Sequence, residues 1–124
     1  MPESVQEAVR THLGRGRACL NKGEYDDAIE DYDKAIALAP NDAIAYYNRG
    51  VAYYEKGDKE QAIADFTETI AINPNDATAH FNRGVAYSKK GDKDQAIADF
   101  RKALEIDPSH RNAKNNLKRL AVTP

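Results

Sequence analysis

Three histidines, one cysteine and 20 carboxylates are the groups in this 124-residue chain whose chemistry suits catalysis or metal binding. Either task needs several of them within a few ångströms of one another. His12 and His80 fall two periods apart in a repeating frame, which at 8–10 Å between packed helices separates them by roughly 18–20 Å. They cannot share a metal, and His110 has no second ligand at useful spacing. The single Cys19 excludes a disulfide framework and a zinc cluster within the chain. Asp26-Asp27 and the Asp31/Asp33 pair lie within one helical stretch without the glycine turn of a calcium loop, so a solvated face accounts for them. No phosphate loop, His-Glu-x-x-His or Gly-x-Ser-x-Gly occurs. The expectation is a protein with no catalytic residue, no metal and no cofactor.

Composition narrows the class further. Hydrophobic residues make up 41% and charged residues 31%, a balance that favours a helix-rich, water-facing surface. The length suits one domain, residues 1–124, burying ~65% of the unfolded chain's surface. No run approaches the ~20 apolar residues of a membrane span, and the start lacks a signal-peptide pattern. A net charge of −2 argues against general nucleic-acid binding. These features suit a cytoplasmic protein.

The elements that would position any site come from a repeat. Shifting Ala43–Asp76 by 34 onto Ala77–His110 gives 20 identities in 34 positions. Asn48-Arg49-Gly50-Val51-Ala52-Tyr53 recurs as Asn82-Arg83-Gly84-Val85-Ala86-Tyr87, and Val9–Asp42 falls on the same frame. Units 9–42, 43–76 and 77–110 follow, each reading as two helices. In the middle unit, positions 44, 47, 51 and 54 form one small or apolar set and 46, 50 and 53 a second, all at helical spacing. Gly57 suits the left-handed end of the first helix. Asp58 with Gln61, and Asp92 with Gln95, form capping boxes for the second helices. Ala62, Ile63, Phe66 and Ile70 make an inward stripe, and Pro74 stops the helix. Ser4 to Glu7 is a further capping box that starts the first helix near residue 5. Ser109 is expected to cap a seventh helix over about 109–121, with Ala113, Leu117 and Leu120 on its inner face and Lys114, Asn115, Lys118 and Arg119 outside. Such a helix would close the array and make the chain a complete folding unit.

These units resemble the tetratricopeptide repeat. Tyr46, Gly50, Tyr53, Ala62, Phe66 and Pro74 carry its signature, as do His80, Gly84, Tyr87, Ala96, Phe100 and Pro108. The first unit is looser, with His12, Gly16, Cys19, Ala28, Tyr32 and Pro40. The resemblance implies an all-α, right-handed superhelical solenoid of three helix-turn-helix units and a capping helix. His12 and His80 then take an aromatic packing slot, and Cys19 takes the buried slot of Tyr53 and Tyr87. The signature leucine is replaced by Arg15, Arg49 and Arg83. A charge there needs a partner, and Asp31, Asp65 and Asp99 stand 16 residues on. Three Arg–Asp pairs between the helices of each unit are expected.

The resemblance further implies an interaction module, a scaffold or adaptor whose concave groove binds an extended peptide segment of another protein. Its first helices would supply Leu13, Arg17 and Leu20; Ile44, Tyr47, Asn48, Val51, Tyr54 and Glu55; and Thr78, Phe81, Asn82, Val85, Ser88 and Lys89. The cap would add Asn112, Asn116 and Arg119. Asn48, Asn82 and Asn116 look like a ladder in which carboxamides grip a peptide main chain, each offering a donor and an acceptor. Gly14 breaks it in the first unit. The clamp that some relatives use for the acidic tail of heat-shock chaperones needs five residues, of which only Asn48 agrees, so a chaperone C-terminal tail is not the expected partner. A competing class is a self-associating or purely structural solenoid, natural or idealised, with its acidic first units beside the basic cap of another copy.

Overall fold

Seven helices make up residues 4–121, which the computed structural model describes: α1 Val5–Asn21, α2 Tyr25–Leu38, α3 Ala43–Lys56, α4 Lys59–Ile72, α5 Ala77–Lys90, α6 Lys93–Ile106 and α7 Arg111–Ala121. They pair as α1–α2, α3–α4 and α5–α6, and successive units join through α2–α3 and α4–α5, with α7 laid on α6. The result is the expected right-handed solenoid of three helix pairs and a cap. Gly57 and Gly91 end α3 and α5 at φ 100° and 98°, where any side chain would strain the backbone. Ser4 accepts from the Glu7 amide (3.1 Å) and Asp58 from that of Gln61 (3.2 Å), the N-cap half of each expected capping box. Asp42 and Asp76 cap α3 and α5 in the same way, a role carried by the repeated Pro-Asn-Asp.

Two expected caps are not formed. The Asp92 side chain makes no capping bond and lies 3.6 Å from Lys90 Nζ, drawn to the cation instead. Ser109 is taken by Asp107, which accepts from its amide and its hydroxyl (3.1 and 2.6 Å). These bonds hold the Asp107 carboxyl below its ordinary value. His110 caps α7 instead, its Nδ1 accepting from the Ala113 amide at 3.1 Å. Helix α7 therefore begins at Arg111 rather than at about 109.

The helices meet through small residues. Ala28, Ala45, Ala52, Ala62, Ala79, Ala86 and Ala96 are fully buried, with the rings of Tyr32, Phe66 and Phe100 between them. The buried seam of α3 is thus Ala45, Asn48, Gly50 and Ala52. Of the predicted apolar set, Ile44 is 62% exposed and Tyr47, Val51 and Tyr54 are half-buried. The stripe on α4 also takes in Asp65 and Thr69, the latter donating to the Asp65 carbonyl. At Gly50 an added Cβ would meet Phe66 Cε1 at 2.8 Å, and at Gly84 it would meet Phe100 Cε1 at 2.8 Å. Cys19 is half-buried, packed at the edge of the Ala28, Ile29, Tyr32 and Ala52 cluster rather than within it.

The arginine next to each of these two glycines closes a two-point fork. Arg49 donates to Asp65 from Nε (2.8 Å) and Nη2 (2.7 Å), and Arg83 does the same to Asp99. Arg49 also donates to Asp33 (2.8 Å) and Arg83 to Thr67 (3.2 Å), each one unit back. Burial pushes the Asp65 carboxyl above its ordinary value against the pull of Arg49. The bonds from Asp65 hold the Arg49 guanidinium above its own. The third expected pair is only loose. Arg15 is 64% exposed with Nε 3.8 Å from Asp31, whose carboxylate accepts instead from His12 Nδ1 at 3.1 Å.

Two predictions follow from this packing. Asp65→Ala leaves Arg49 half-buried without its fork and should destabilise the fold by about 3 kcal/mol. Asp33→Ala, on the exposed partner, should cost less than about 1 kcal/mol; equal losses in denaturant unfolding would refute the fork as the principal tie. Gly84→Ala forces its Cβ onto Phe100 and should cost about 1–3 kcal/mol. Gly14→Ala, with nothing within 4 Å, should stabilise α1 by about 0.5–1 kcal/mol. Thermal melts of the two variants should move in opposite directions.

Candidate functional site

The first helices α3 and α5 leave a pocket of about 130 Å³ between them, lined by Val51, Tyr54, Glu55, Asn82 and Val85. Its sixth lining residue is Phe66 of α4, which the sequence pattern marks only as core. Phe66 faces both ways because the glycine opposite lets it approach α3 closely. The walls are half-buried: Val51, Tyr54, Asn82 and Val85 keep part of their surface in water, while Glu55 is exposed.

Around the pocket, several expected groove residues are tied to their neighbours. Tyr47 packs on Phe66, with ring centroids 5.9 Å apart, and its hydroxyl accepts from Asn82 Nδ2 at 2.8 Å. Burial raises the Tyr47 hydroxyl above its ordinary value, against that hydrogen bond. Phe81 packs on Phe100 and His110 at 5.6 and 4.8 Å. Asn48 is 7% exposed. Asn116 donates to the Asn112 carbonyl and accepts from Arg119, both within α7. Leu13 is half-buried against Ala28 and Val9 neighbours, and Arg17 and Lys89 are exposed. Ile44 stands apart, in a depression with Ala39, Pro40 and Ile72 at the turn between units.

The titratable groups are dispersed through the packing. His80 is buried; its Nε2 donates to the Pro74 carbonyl at 3.1 Å, and its Nδ1 faces Asp99 at 3.8 Å without a hydrogen-bond partner. Among the described residues, no group of three or more His, Cys, Asp and Glu side chains is arranged to hold a metal ion. No described helix is long and apolar enough to cross a membrane. What this surface offers is a half-apolar cleft with the Asn82 carboxamide at its edge.

Family models described as TPR repeat match residues 16–57 and 52–91, and one described as Tetratricopeptide repeat matches 77–110. Against curated protein sequences the chain has no match. Among solved structures, the OM64 TPR domain of Arabidopsis is similar at a TM-score of 0.91 with 30% identity, over 98% of this chain and 100% of that one. The second TPR domain of human RPAP3, in complex with the HSP70 peptide SGPTIEEVD, gives 0.90 at 27% identity over 95% and 98%. The first TPR of Spaghetti (RPAP3), bound to the HSP90 peptide SRMEEVD, gives 0.89 at 26% over 95% and 93%. With these matches together spanning residues 16–110 and the last of them covering the α5–α6 pair, the chain belongs to the tetratricopeptide repeat family.

Proposed function

We propose that this protein is an interaction module that binds an extended segment of a partner protein along the face formed by α1, α3, α5 and α7. The pocket between α3 and α5 carries this reading. It is sized for one aliphatic side chain, its floor is the Phe66 ring, and Asn82 at its edge keeps its carboxamide oxygen available beside the bond to Tyr47. The peptide complexes of two similar structures support the same mode. Those complexes also leave the expectation against chaperone tails without support, so acidic tails stay among the ligands to test.

The chemistry of the segment follows from one repeating slot. Residues 17, 51, 85 and 119 are arginine, valine, valine and arginine. A peptide with an apolar centre and acidic residues toward both ends would complement that order. Three steps of about 8–10 Å make about eight to nine extended residues. Asn48 and Asn82 would hold main-chain amides between those ends, leaving Tyr54 and Val85 to choose the central side chain.

A library of nine-residue peptides, with chaperone tails ending in EEVD as one arm, tests this by fluorescence anisotropy. The wild type should select an aliphatic centre with acidic flanks. Asn48→Ala/Asn82→Ala should weaken binding at least about tenfold, the loss of ~1.4 kcal/mol from two backbone contacts, with the helical signal intact. Binding that survives unchanged would retire the carboxamide contacts. No peptide bound at millimolar concentration would retire the groove.

A further inference from the structure

The two ends of the solenoid are unlike, and each lacks what the other offers. Within the array, the first helix of a unit is covered by the second helix of the unit before it. Ala52 and Ala86 are 0% exposed, and Ala52 packs against Ala28, Ile29 and Tyr32 of α2. The same slot in the first unit, Ala18, is exposed. Arg15 is 64% exposed where Arg49 and Arg83 are 21% and 20% exposed, each with a donor turned to the preceding unit. A depression between α1 and α2 opens there, bordered by Arg15, Ala18, Cys19, Asp27, Glu30 and Lys34. At the far end, α7 presents Lys114 and Lys118 to water at the positions where α3 and α5 turn Tyr46, Gly50, His80 and Gly84 toward their own second helix.

Charge selects what covers the open face. Helix α2 holds five acidic residues and one lysine; Asp26, Asp31 and Asp33 are engaged by Lys56, His12 and Arg49, and Glu30 shares Lys34 at 3.5 Å, while α7 holds four basic residues and no acidic one. We propose that α7 of a second copy docks on the α1–α2 face, with Lys114 and Lys118 against Asp27 and Glu30 and the lysine stems lying over Ala18. The contact is head-to-tail, so it leaves an identical face open at each end and grows into stacks. It uses the outer stripe of α7, not Asn112, Asn116 and Arg119 on the groove side, and is independent of peptide binding.

Sedimentation velocity at several concentrations reads this directly. At about 20 mM salt the wild-type mass should rise above 13.8 kDa with concentration, and about 500 mM salt should return it to monomer by screening the exposed charges. Lys114→Glu/Lys118→Glu and Asp27→Lys/Glu30→Lys, each checked by circular dichroism for an intact fold, should be monomeric alone. Mixed in equal amounts they should associate again, because each contact is then restored with its native or exchanged sign. A wild type monomeric at all concentrations, association indifferent to both variants, or a mixture that stays monomeric would each overturn the proposal.

Discussion

The absence of a Cβ at one position in the first helix of each unit sets the spacing on which the rest of the solenoid depends. At Gly50 the ring of Phe66 and the Cβ of Asp65 both come within about 3 Å of where a side chain would begin, and at Gly84 Phe100 and Asp99 do the same. That closeness brings the Asp65 and Asp99 carboxylates under the neighbouring arginines, so the forks can close without stretching. It also explains why arginine is tolerated where the family pattern places leucine. The guanidinium lies within 6 Å of the Tyr46 and Tyr53 ring centres and is neutralised by a carboxylate it reaches at two points.

The remaining donor of each arginine carries the spacing from unit to unit. Arg49 reaches Asp33 and Arg83 reaches Thr67, so a tie that holds a unit together also indexes it against the one before. Each unit depends on its neighbour in this way, as expected for a quasi-one-dimensional array. Arg15 has no such neighbour in this chain's described residues. It swings outward, and His12 supplies the hydrogen bond to Asp31 instead.

Most of the fold was legible in the sequence because a period of 34 states the architecture three times over, and helix ends fell at the glycines and prolines of that period. What was not legible lay where a local rule met a neighbour outside it. Asp92 has the spacing of a capping residue, yet Lys90 competes for its carboxylate. Ser109 has the chemistry of a cap, yet Asp107 two residues before it takes both its donors. The burial of Ala45 and Ala52 in preference to Ile44 was hidden because hydrophobic spacing ranks side chains by size, whereas close helix packing ranks them by smallness. At the candidate site, five of the six pocket residues were visible as a face of the first helices. Phe66 was not, since a residue that is core on one side and pocket floor on the other carries no separate mark.

Positions that repeat and positions that vary divide along the same line. The slots that set helix spacing hold glycine at 16, 50 and 84 and, from unit two onward, alanine at 52 and 86 with the same buried result. Among the slots facing the groove, valine repeats at 51 and 85, but two others change at each step: leucine, tyrosine and serine at 20, 54 and 88, and leucine, tyrosine and phenylalanine at 13, 47 and 81. A surface that repeated with the frame would bind a repetitive ligand equally well in several registers. One that varies while the backbone beneath it does not presents a different side-chain environment at each step of ~8–10 Å. The asparagines at 48 and 82 repeat with the frame, whereas their neighbours at 47 and 81, and at 54 and 88, differ. A constant frame is what turns different side chains at successive steps into an ordered pattern.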